Sequence, residues 1–254
     1  MILHSYEWGE PGGPPVICLH GVNAHGHRFG RLAERLPGRR VVAVDLRGHG
    51  LSGWEPPWDL VTHVDDLLET ADSLGIDRAA WMGHSFGGRL VIELAARAGE
   101  RVERAVLLDP AVWVPPPTAL ERAEEEREDR SFASVAEAIE RRRETALLAR
   151  PGMLEEEMDH HLAEGKDGRF RYRYLQSAVV VAFGEMAKAP PLEGLAGVPT
   201  LIVRAPEAEI CPDSIVDLCR TAIPALEVVD VPGGHIVMWD ALDDTADAVA
   251  RFLG

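Results

Sequence analysis

The segment Gly83–Gly87, with the sequence Gly-His-Ser-Phe-Gly, is the part of the chain best suited to chemistry. It directly follows the apolar run Ala79–Met82 and directly precedes a helical pattern, which is the context that a nucleophile elbow requires. Glycines two positions either side of Ser85 let the backbone turn tightly and lift the hydroxyl above the sheet. The helix behind Ser85 supplies free N–H groups where negative charge develops. The pattern therefore predicts Ser85 as the nucleophile of an acyl-transfer reaction.

A histidine near the end of the chain is the best candidate for the general base. His235 follows a Pro-Gly-Gly turn directly after the apolar run Leu226–Val231. Ligand and catalytic groups of open α/β sheets gather at the carboxyl ends of strands. His84 flanks the nucleophile, but its side chain is expected to point away from that of Ser85. Among the ten histidines, His235 alone combines the end of a predicted strand with a place after the nucleophile.

The remaining histidines and the cysteines do not predict a metal site. His25 and His27 lie in a predicted turn and are most simply interpreted as loop surface, while His160 and His161 lack a third ligand at zinc spacing. The cysteines are too scattered for a disulfide framework or a zinc site; they are Cys18, Cys211 and Cys219. We therefore expect no metal, and three free thiols.

The predicted oxyanion hole combines two backbone N–H groups. A His-Gly pair at positions 20 and 21 follows the apolar run Val16–Leu19. A glycine-containing turn at this point aims a backbone N–H back toward Ser85. The two donors are then the N–H groups of Val22 and of Phe86, the residue after the nucleophile.

The elements that must position these groups alternate along the chain. Short continuous apolar runs are typical of strands buried on both faces, and helical patterns lie between them. The alternation predicts an α/β fold with a mostly parallel, doubly wound sheet flanked by helices. The predicted strands are Val16–Leu19, Val41–Val44, Ala79–Met82, Ala105–Leu108, Thr200–Val203 and Leu226–Val231, and the helices are Thr62–Leu74, Gly87–Ala98 and Ala241–Leu253.

One region interrupts the alternation and is predicted to be an inserted cap. Three prolines open it at positions 115–117, and two close it at 190 and 191. Residues 118–148 are dense in Glu and Arg with a helical apolar rhythm, and residues 170–174 alternate aromatic and basic side chains. We therefore expect a core formed by residues 1–114 and 192–254 and a mainly helical cap formed by residues 115–191, named the cap segment below.

The motifs together resemble those of the α/β-hydrolase fold family, most closely its compact esterase and lipase-like members with a helical cap. They occur in the family's order and span most of the chain outside the cap segment. The resemblance implies the α/β-hydrolase fold and a Ser-His-acid triad without a cofactor. The matching stretches are His20-Gly21, Asp45–Ser52, Gly83–Gly88 and Gly233–His235.

The resemblance gives the stretch from residue 45 to residue 52 a structural role. Asp45 and Arg47 are expected to hold the loop after the strand Val41–Val44, and Gly48 and Gly50 to make it tight. No chemistry is assigned to this turn.

The acid of the triad is the point at which the chain departs from the family pattern. Family members usually carry an Asp shortly after the strand that corresponds to Thr200–Val203, but that register holds Ala208 here. Some members carry the acid one place later, at Glu209, and others take it from the end of the preceding strand, at Asp109. Glu209 and Asp109 remain open as the acid, with Glu207 as a third possibility.

Charge and hydropathy exclude several classes of partner. Basic residues number 26 and acidic residues 42, for a formal net charge of −16. Because phosphate groups attract clustered positive charge, nucleic acid and anionic membrane surfaces are not expected partners. The longest apolar run, Ala178–Phe183, is far too short to span a membrane, and the N-terminus lacks the pattern of a signal peptide. We therefore expect a cytoplasmic protein that is monomeric or homodimeric.

The predicted function is that of a serine carboxylesterase acting on small to medium acyl esters. The same triad also serves lactone, carbon–carbon bond and amide hydrolysis and perhydrolysis, and a non-catalytic ligand-binding protein on this fold is a further alternative. Large aromatic side chains are candidates for an apolar acyl pocket, although they equally suit a core; they are Phe86, Trp113, Phe170, Tyr172, Tyr174 and Phe183.

Overall fold

A computed structural model describes residues 1–145 and 152–254 of the chain. The strands are β1 Ser5–Gly9, β2 Pro15–Leu19, β3 Arg40–Val44, β4 Ala79–His84, β5 Val102–Leu108, β6 Leu162–Glu164, β7 Phe170–Tyr172, β8 Thr200–Arg204 and β9 Leu226–Asp230. The centre of the fold is a seven-stranded sheet in the order β1-β3-β2-β4-β5-β8-β9, in which every pair except β1 with β3 is parallel. This is the mostly parallel α/β sheet that the sequence predicts.

All six strands predicted from apolar runs are present in this sheet. β1, which pairs with β3 at one edge, is the strand that the apolar-run criterion missed. Its five residues, Ser-Tyr-Glu-Trp-Gly, are half-buried or exposed, because an edge strand needs no continuous apolar run.

The helices cover both faces of the sheet. They are α1 Gly30–Ala33, α2 Leu60–Ser73, α3 Phe86–Ala98, α4 Pro116–Glu125, α5 Val135–Thr145, α6 Met153–His161, α7 Gln176–Met186, α8 Asp213–Ala222, α9 Val237–Asp240 and α10 Leu242–Leu253. The expected start of α2 at Thr62 is wrong by two residues. Asp59 caps the helix instead, since its side chain accepts a hydrogen bond of 2.8 Å from the N–H of Thr62.

Two apolar clusters hold the sheet between its helices. One includes Trp81 and Leu107 and packs against α2, α3 and α8; the other includes Met82 and Val203 and packs against α1 and α10. Neighbouring residues of β4, such as Trp81 and Met82, therefore face opposite clusters. Burial on both faces fixes the strand positions, so the carboxyl ends that carry the candidate groups are rigidly placed.

The turn after β3 has the structural role expected of it. Asp45 accepts a hydrogen bond of 2.9 Å from the N–H of Leu51, and Arg47 pairs with buried Asp66 at 2.6 Å. Gly50 has a φ of +53°, and a Cβ on it would lie 2.1 Å from the Asp45 carboxylate. The turn therefore closes around the buried Asp45 carboxylate, and any residue larger than Gly at position 50 would collide with that carboxylate.

The described part of the cap segment carries α4 to α7 and a small hairpin of β6 with β7. It leaves the sheet after β5 and rejoins it at β8, and these two strands pair directly with each other. The aromatic-basic stretch does form a short strand at Phe170–Tyr172. Residues 146–148 of the predicted helical run lie outside the described residues.

Candidate active site

The strand-to-helix turn between β4 and α3 places Ser85 in a strained backbone conformation. Its φ is +54° and its ψ is −116°, a region that a residue with a side chain rarely adopts. The turn is held on both sides, because the Ser85 N–H donates to the Leu108 carbonyl at 3.1 Å and its own carbonyl accepts from the Ala111 N–H at 3.1 Å. Such strain persists where surrounding structure enforces it, as at nucleophile elbows.

The glycines of the motif are required by close backbone approach. A Cβ on Gly83 would lie 2.2 Å from the Gly87 carbonyl oxygen, and a Cβ on Gly87 would lie 2.1 Å from the carbonyl oxygen of Leu19. These separations are far below any van der Waals contact, which confirms the expectation that both positions must be small. The approach brings α3 onto the end of β2, so Ser85 and the predicted oxyanion loop become neighbours.

The carboxylate in contact with His235 is that of Asp109. The His235 Nδ1 atom and the Asp109 Oδ2 atom are 2.6 Å apart. Asp109 is fully buried directly after β5, with φ +39°, and its other oxygen accepts from the Ala205 N–H at 3.3 Å. A carboxylate on Nδ1 fixes the proton there and leaves Nε2 as the basic nitrogen.

Glu209 and Glu207 do not share this position. Both side chains are exposed on the turn after β8, and within residues 1–145 and 152–254 neither makes a hydrogen bond or ion pair with His235. Glu209 ends a short 3-10 turn with φ +56°. Of the acids that the sequence left open, the structure brings Asp109 to His235 and leaves Glu209 in solvent, because the strand end at β5 is nearer to the histidine loop.

His84 has a contact that the sequence did not predict. Its Nε2 atom donates to the carbonyl oxygen of His235 at 2.9 Å, and the two rings pack with centroids 4.6 Å apart. Burial lowers the pKa of His84 well below its usual range, so the ring is neutral and carries its proton on Nε2. His84 therefore helps to hold the loop that presents His235.

The predicted oxyanion loop is fixed by a buried histidine. The His20 Nε2 atom accepts from the Leu46 N–H at 2.9 Å, which leaves the proton on Nδ1, and Nδ1 donates to the Gly21 carbonyl at 2.7 Å. That carbonyl belongs to the same peptide group as the N–H of Val22. A Cβ on Gly21 would lie 3.2 Å from Cβ of Ser85, so this peptide runs directly beside the nucleophile.

The second predicted donor, the N–H of Phe86, lies in the first residue of α3. N–H groups in the first turn of a helix have no partner within the helix and point toward its N-terminal end. Ser85, Phe86 and Val22 thus meet at one end of the sheet, together with His235. Among the hydrogen bonds of the described residues, none yet joins the Ser85 hydroxyl to His235, a bond that often forms fully only with substrate bound.

The other histidine pairs lie between the core and the cap segment. His25 is buried, and its Nε2 atom donates to the buried carboxylate of Glu157 at 2.7 Å, a carboxylate that Arg28 also contacts. The expectation that His25 lies on the loop surface is therefore wrong. The rings of His27 and His160 stack with centroids 3.4 Å apart. The His25–Glu157 contact and the His27–His160 contact therefore both join the turn after β2 to α6.

Burial alone would raise the pKa of Glu157, but the charge of Arg28 and the hydrogen bond from His25 hold that pKa well below its usual range. The carboxylate is thus ionised inside the interface. No three His, Cys, Asp or Glu side chains within residues 1–145 and 152–254 are arranged to hold a metal ion. The three cysteines are buried and unpaired.

A cavity of about 300 Å³ lies where the turn after β2 meets the cap segment. Asn23 and Arg28 line it from the core, and Tyr172 and Tyr174 line it from the cap segment. Its wall is more polar than the apolar pocket expected from the sequence, since further arginines and acidic residues share it. The other aromatic candidates differ among themselves: Phe86 is fully buried in the core, whereas Trp113 is 37% exposed.

The described helices include none with the length and apolarity needed to cross a bilayer.

A profile of the alpha/beta hydrolase fold family matches residues 14–242. Lipase LipV of Mycobacterium tuberculosis is 32% identical over 99% of this chain and 98% of its own length. Esterase YbfF of Escherichia coli is 35% identical over 37% of this chain and 38% of its own length.

Solved structures agree in fold. E-2-(Acetamidomethylene)succinate hydrolase aligns over 99% of this chain and 94% of its own with a TM-score of 0.87 at 23% identity. The enol-lactonase of Burkholderia xenovorans aligns over 99% and 96% with a TM-score of 0.80 at 22% identity. The profile match and the full-length relative, together with this sheet and its elbow, show that the chain belongs to the α/β-hydrolase fold family.

Proposed function

We propose that the chain is a serine carboxylesterase that hydrolyses small to medium acyl esters, with Ser85 as nucleophile, His235 as general base and Asp109 as the acid. The observation that carries the proposal is the 2.6 Å contact between Asp109 and His235 at the end of the sheet that bears the elbow. Relatives named as a lipase and an esterase support the ester class.

In the first half of the reaction, His235 Nε2 takes the hydroxyl proton of Ser85 while Oγ attacks the ester carbonyl carbon. The N–H groups of Val22 and Phe86 donate to the oxyanion that forms. Asp109 accepts the Nδ1–H bond and stabilises the imidazolium. The carbon–oxygen bond to the alcohol then breaks, and His235 returns its proton to the departing oxygen.

In the second half, water takes the place of the alcohol. His235 removes a proton from water as its oxygen attacks the acyl carbon on Ser85. The tetrahedral intermediate uses the same two N–H donors, and its collapse releases the carboxylic acid and restores the Ser85 hydroxyl. Ester and water are consumed, and acid and alcohol are formed.

A series of p-nitrophenyl esters from acetate to decanoate tests the proposal. We expect turnover with a maximum at a short or medium chain length, and its loss in Ser85→Ala. The wild type is also treated with a fluorophosphonate and its mass measured, since an active serine becomes phosphonylated even when the ester chosen is a poor substrate.

A γ-lactone and a p-nitroanilide, assayed in parallel, identify the other reactions open to the same triad. Faster lactone than ester turnover would replace the ester proposal with a lactonase, and faster anilide turnover with an amidase. Absence of both turnover and phosphonylation would favour a non-catalytic binding protein on this fold.

A further inference from the structure

His49 lies in the turn after β3 and is 1% exposed. Its Nε2 atom is 2.7 Å from the carbonyl oxygen of Val22, and its Nδ1 atom is 3.0 Å from the carbonyl oxygen of Arg47. Burial lowers the pKa of His49, so the ring is neutral and has one N–H to donate. The shorter contact assigns that proton to Nε2, which donates to Val22.

The two carbonyls next to the Val22 N–H are thus each held by a buried imidazole. His20 donates to the Gly21 carbonyl, and His49 donates to the Val22 carbonyl. The two rings also contact each other edge to face, with centroids 5.0 Å apart. A backbone N–H is aimed only as well as its peptide plane is fixed, and these bonds fix the planes on both sides of residue 22.

The turn that carries His49 is itself tied to the cap segment. The Leu175 N–H donates to the Gly48 carbonyl at 2.8 Å, and the Gly50 N–H donates to the Arg173 carbonyl at 2.6 Å. These bonds flank His49 and form an isolated antiparallel bridge between His49 and Tyr174. The position of the His49 ring is therefore set by the cap segment as well as by the core.

We propose that His49 is a positioning residue for the oxyanion donor at Val22, which it orients through the Val22 carbonyl. The inference rests on the proposed function, because it assigns His49 a part in stabilising the tetrahedral oxyanion on Ser85. Its effect is expected in the transition state and not in the binding of the ground-state ester.

The test compares two substitutions of similar size at one position. Gln at position 49 retains an N–H donor near Nε2, whereas Met fills the space without one. Steady-state kcat and KM are measured on the best p-nitrophenyl ester, and Ki is measured for a trifluoromethyl ketone whose adduct with Ser85 carries an oxyanion. We expect His49→Met to lower kcat about 10- to 100-fold and to weaken the ketone by the same factor, with KM within about twofold.

We expect His49→Gln to restore kcat to within about fivefold of the wild type. Ser52→Ala is the matched control, because the Ser52 hydroxyl bonds the same turn, to the Asp45 carbonyl at 2.6 Å and to the His4 N–H at 2.9 Å. Among the hydrogen bonds of the described residues, none joins this hydroxyl to Val22. This variant should lower the melting temperature and leave kcat and the ketone Ki unchanged.

Two results would overturn the inference: a His49→Met variant with wild-type kcat and ketone affinity, or a kcat loss that Ser52→Ala reproduces. The rate at which a fluorophosphonate phosphonylates Ser85 distinguishes failure of this inference from failure of the proposed function. If the wild type hydrolyses no ester but is phosphonylated, that rate replaces kcat in the same comparison. A wild type that is neither active nor phosphonylated would overturn both proposals.

Discussion

The carboxylate beneath His235 determines which nitrogen of the imidazole is basic. In Asp109→Asn the amide oxygen can keep the bond from the Ala205 N–H, which turns the amide NH2 group toward His235 and moves the ring proton from Nδ1 to Nε2. We therefore expect kcat/KM on a p-nitrophenyl ester to fall on the order of 10³- to 10⁴-fold. KM should change far less than kcat, since the carboxylate acts on the histidine and not on the ester. Steady-state kinetics of Asp109→Asn give both values.

Glu209→Gln is the matched control, because it makes the same change of charge on an exposed side chain that forms no hydrogen bond or ion pair with His235 within the described part of the chain. We expect it to retain kcat/KM to within about twofold. Comparable losses in the two variants, or a loss in Glu209→Gln alone, would contradict the assignment of Asp109 as the acid.

The sequence identifies some of these residues and not others for a physical reason. Ser85 lies in a motif of local spacing, and His235 follows a strand end, so both are recognisable along the chain. The acid depends on which strand end lies nearest to the histidine loop, which is a property of the folded sheet. Asp109 and His235 are separated by 126 residues, and the His84 contact with His235 likewise spans 151.

The close approach of the α3 and β2 backbones is possible because Gly87 has no side chain. In Gly87→Ala the new Cβ would meet the Leu19 carbonyl oxygen at 2.1 Å, so either the helix or the strand must move. We expect a loss of about 2–3 kcal/mol in the free energy of unfolding, measured by urea denaturation, together with a fall in kcat.

Gly99→Ala provides the comparison at the other end of the same helix. Gly99 has φ −59°, and a Cβ there would meet nothing within 4 Å. The expected change is a gain of about 0.4–1 kcal/mol, because Ala restricts the unfolded chain without strain in the folded one. Equal destabilisation by both substitutions would show that the close approach at Gly87 is not limiting.

The presence of a strand was predictable where burial was extensive, but its exact ends were not, since β4 is buried throughout and extends two residues past its predicted end. β9 lies at a sheet edge and is half-buried or exposed, and it was predicted from its Leu and Val residues. β1, at the other edge, was missed because its sequence Ser-Tyr-Glu-Trp-Gly contains no apolar run. The start of α2 was predicted at Thr62, two residues late, because the cap is Asp59, whose side chain accepts from the N–H of Thr62.

Across the whole molecule, a buried carboxylate joins the cap segment to the core. Glu157→Gln removes this charge and leaves Arg28 and His25 without their anionic partner. We expect the free energy of unfolding to fall by about 3–5 kcal/mol. Glu156→Gln on the same helix breaks a half-exposed pair with Arg31 at 2.8 Å and should cost about 1 kcal/mol or less. Thermal and urea unfolding measure both variants, and similar losses would show that the buried pair does not secure the cap segment.

The same interface should weaken in acid. Burial is the main cause that lowers the pKa values of His27 and His160. Neighbouring histidines of the same interface lower both pKa values further. The folded state therefore binds fewer protons than the unfolded chain, and stability falls as pH drops through the ordinary histidine pKa of about 6.5. Glu157, whose pKa is also lowered, adds a loss in the same direction at lower pH.

Limited proteolysis of the cap segment at pH 7.5 and pH 5.5 measures this effect, with unfolding midpoints at the same two values. We expect faster cleavage at pH 5.5, and a smaller difference between the two values in His160→Gln, which removes one of the titrating groups. The titratable and charged groups that face these two rings are His25, Arg28 and Arg31 on the core and Glu156, Glu157, Asp159 and His161 on α6. An equal pH difference in wild type and variant would contradict the assignment.

The direct pairing of β5 with β8 also bears on how such a chain can diversify. The proposed reacting groups Ser85, Asp109 and His235 follow the ends of core strands β4, β5 and β9, and all three lie outside the cap segment of residues 115–191. Insertions or deletions in the cap segment therefore lengthen or shorten one connection without changing the register of any strand. A lineage that exchanges this connection replaces the cap segment while it inherits Ser85, Asp109 and His235 unaltered.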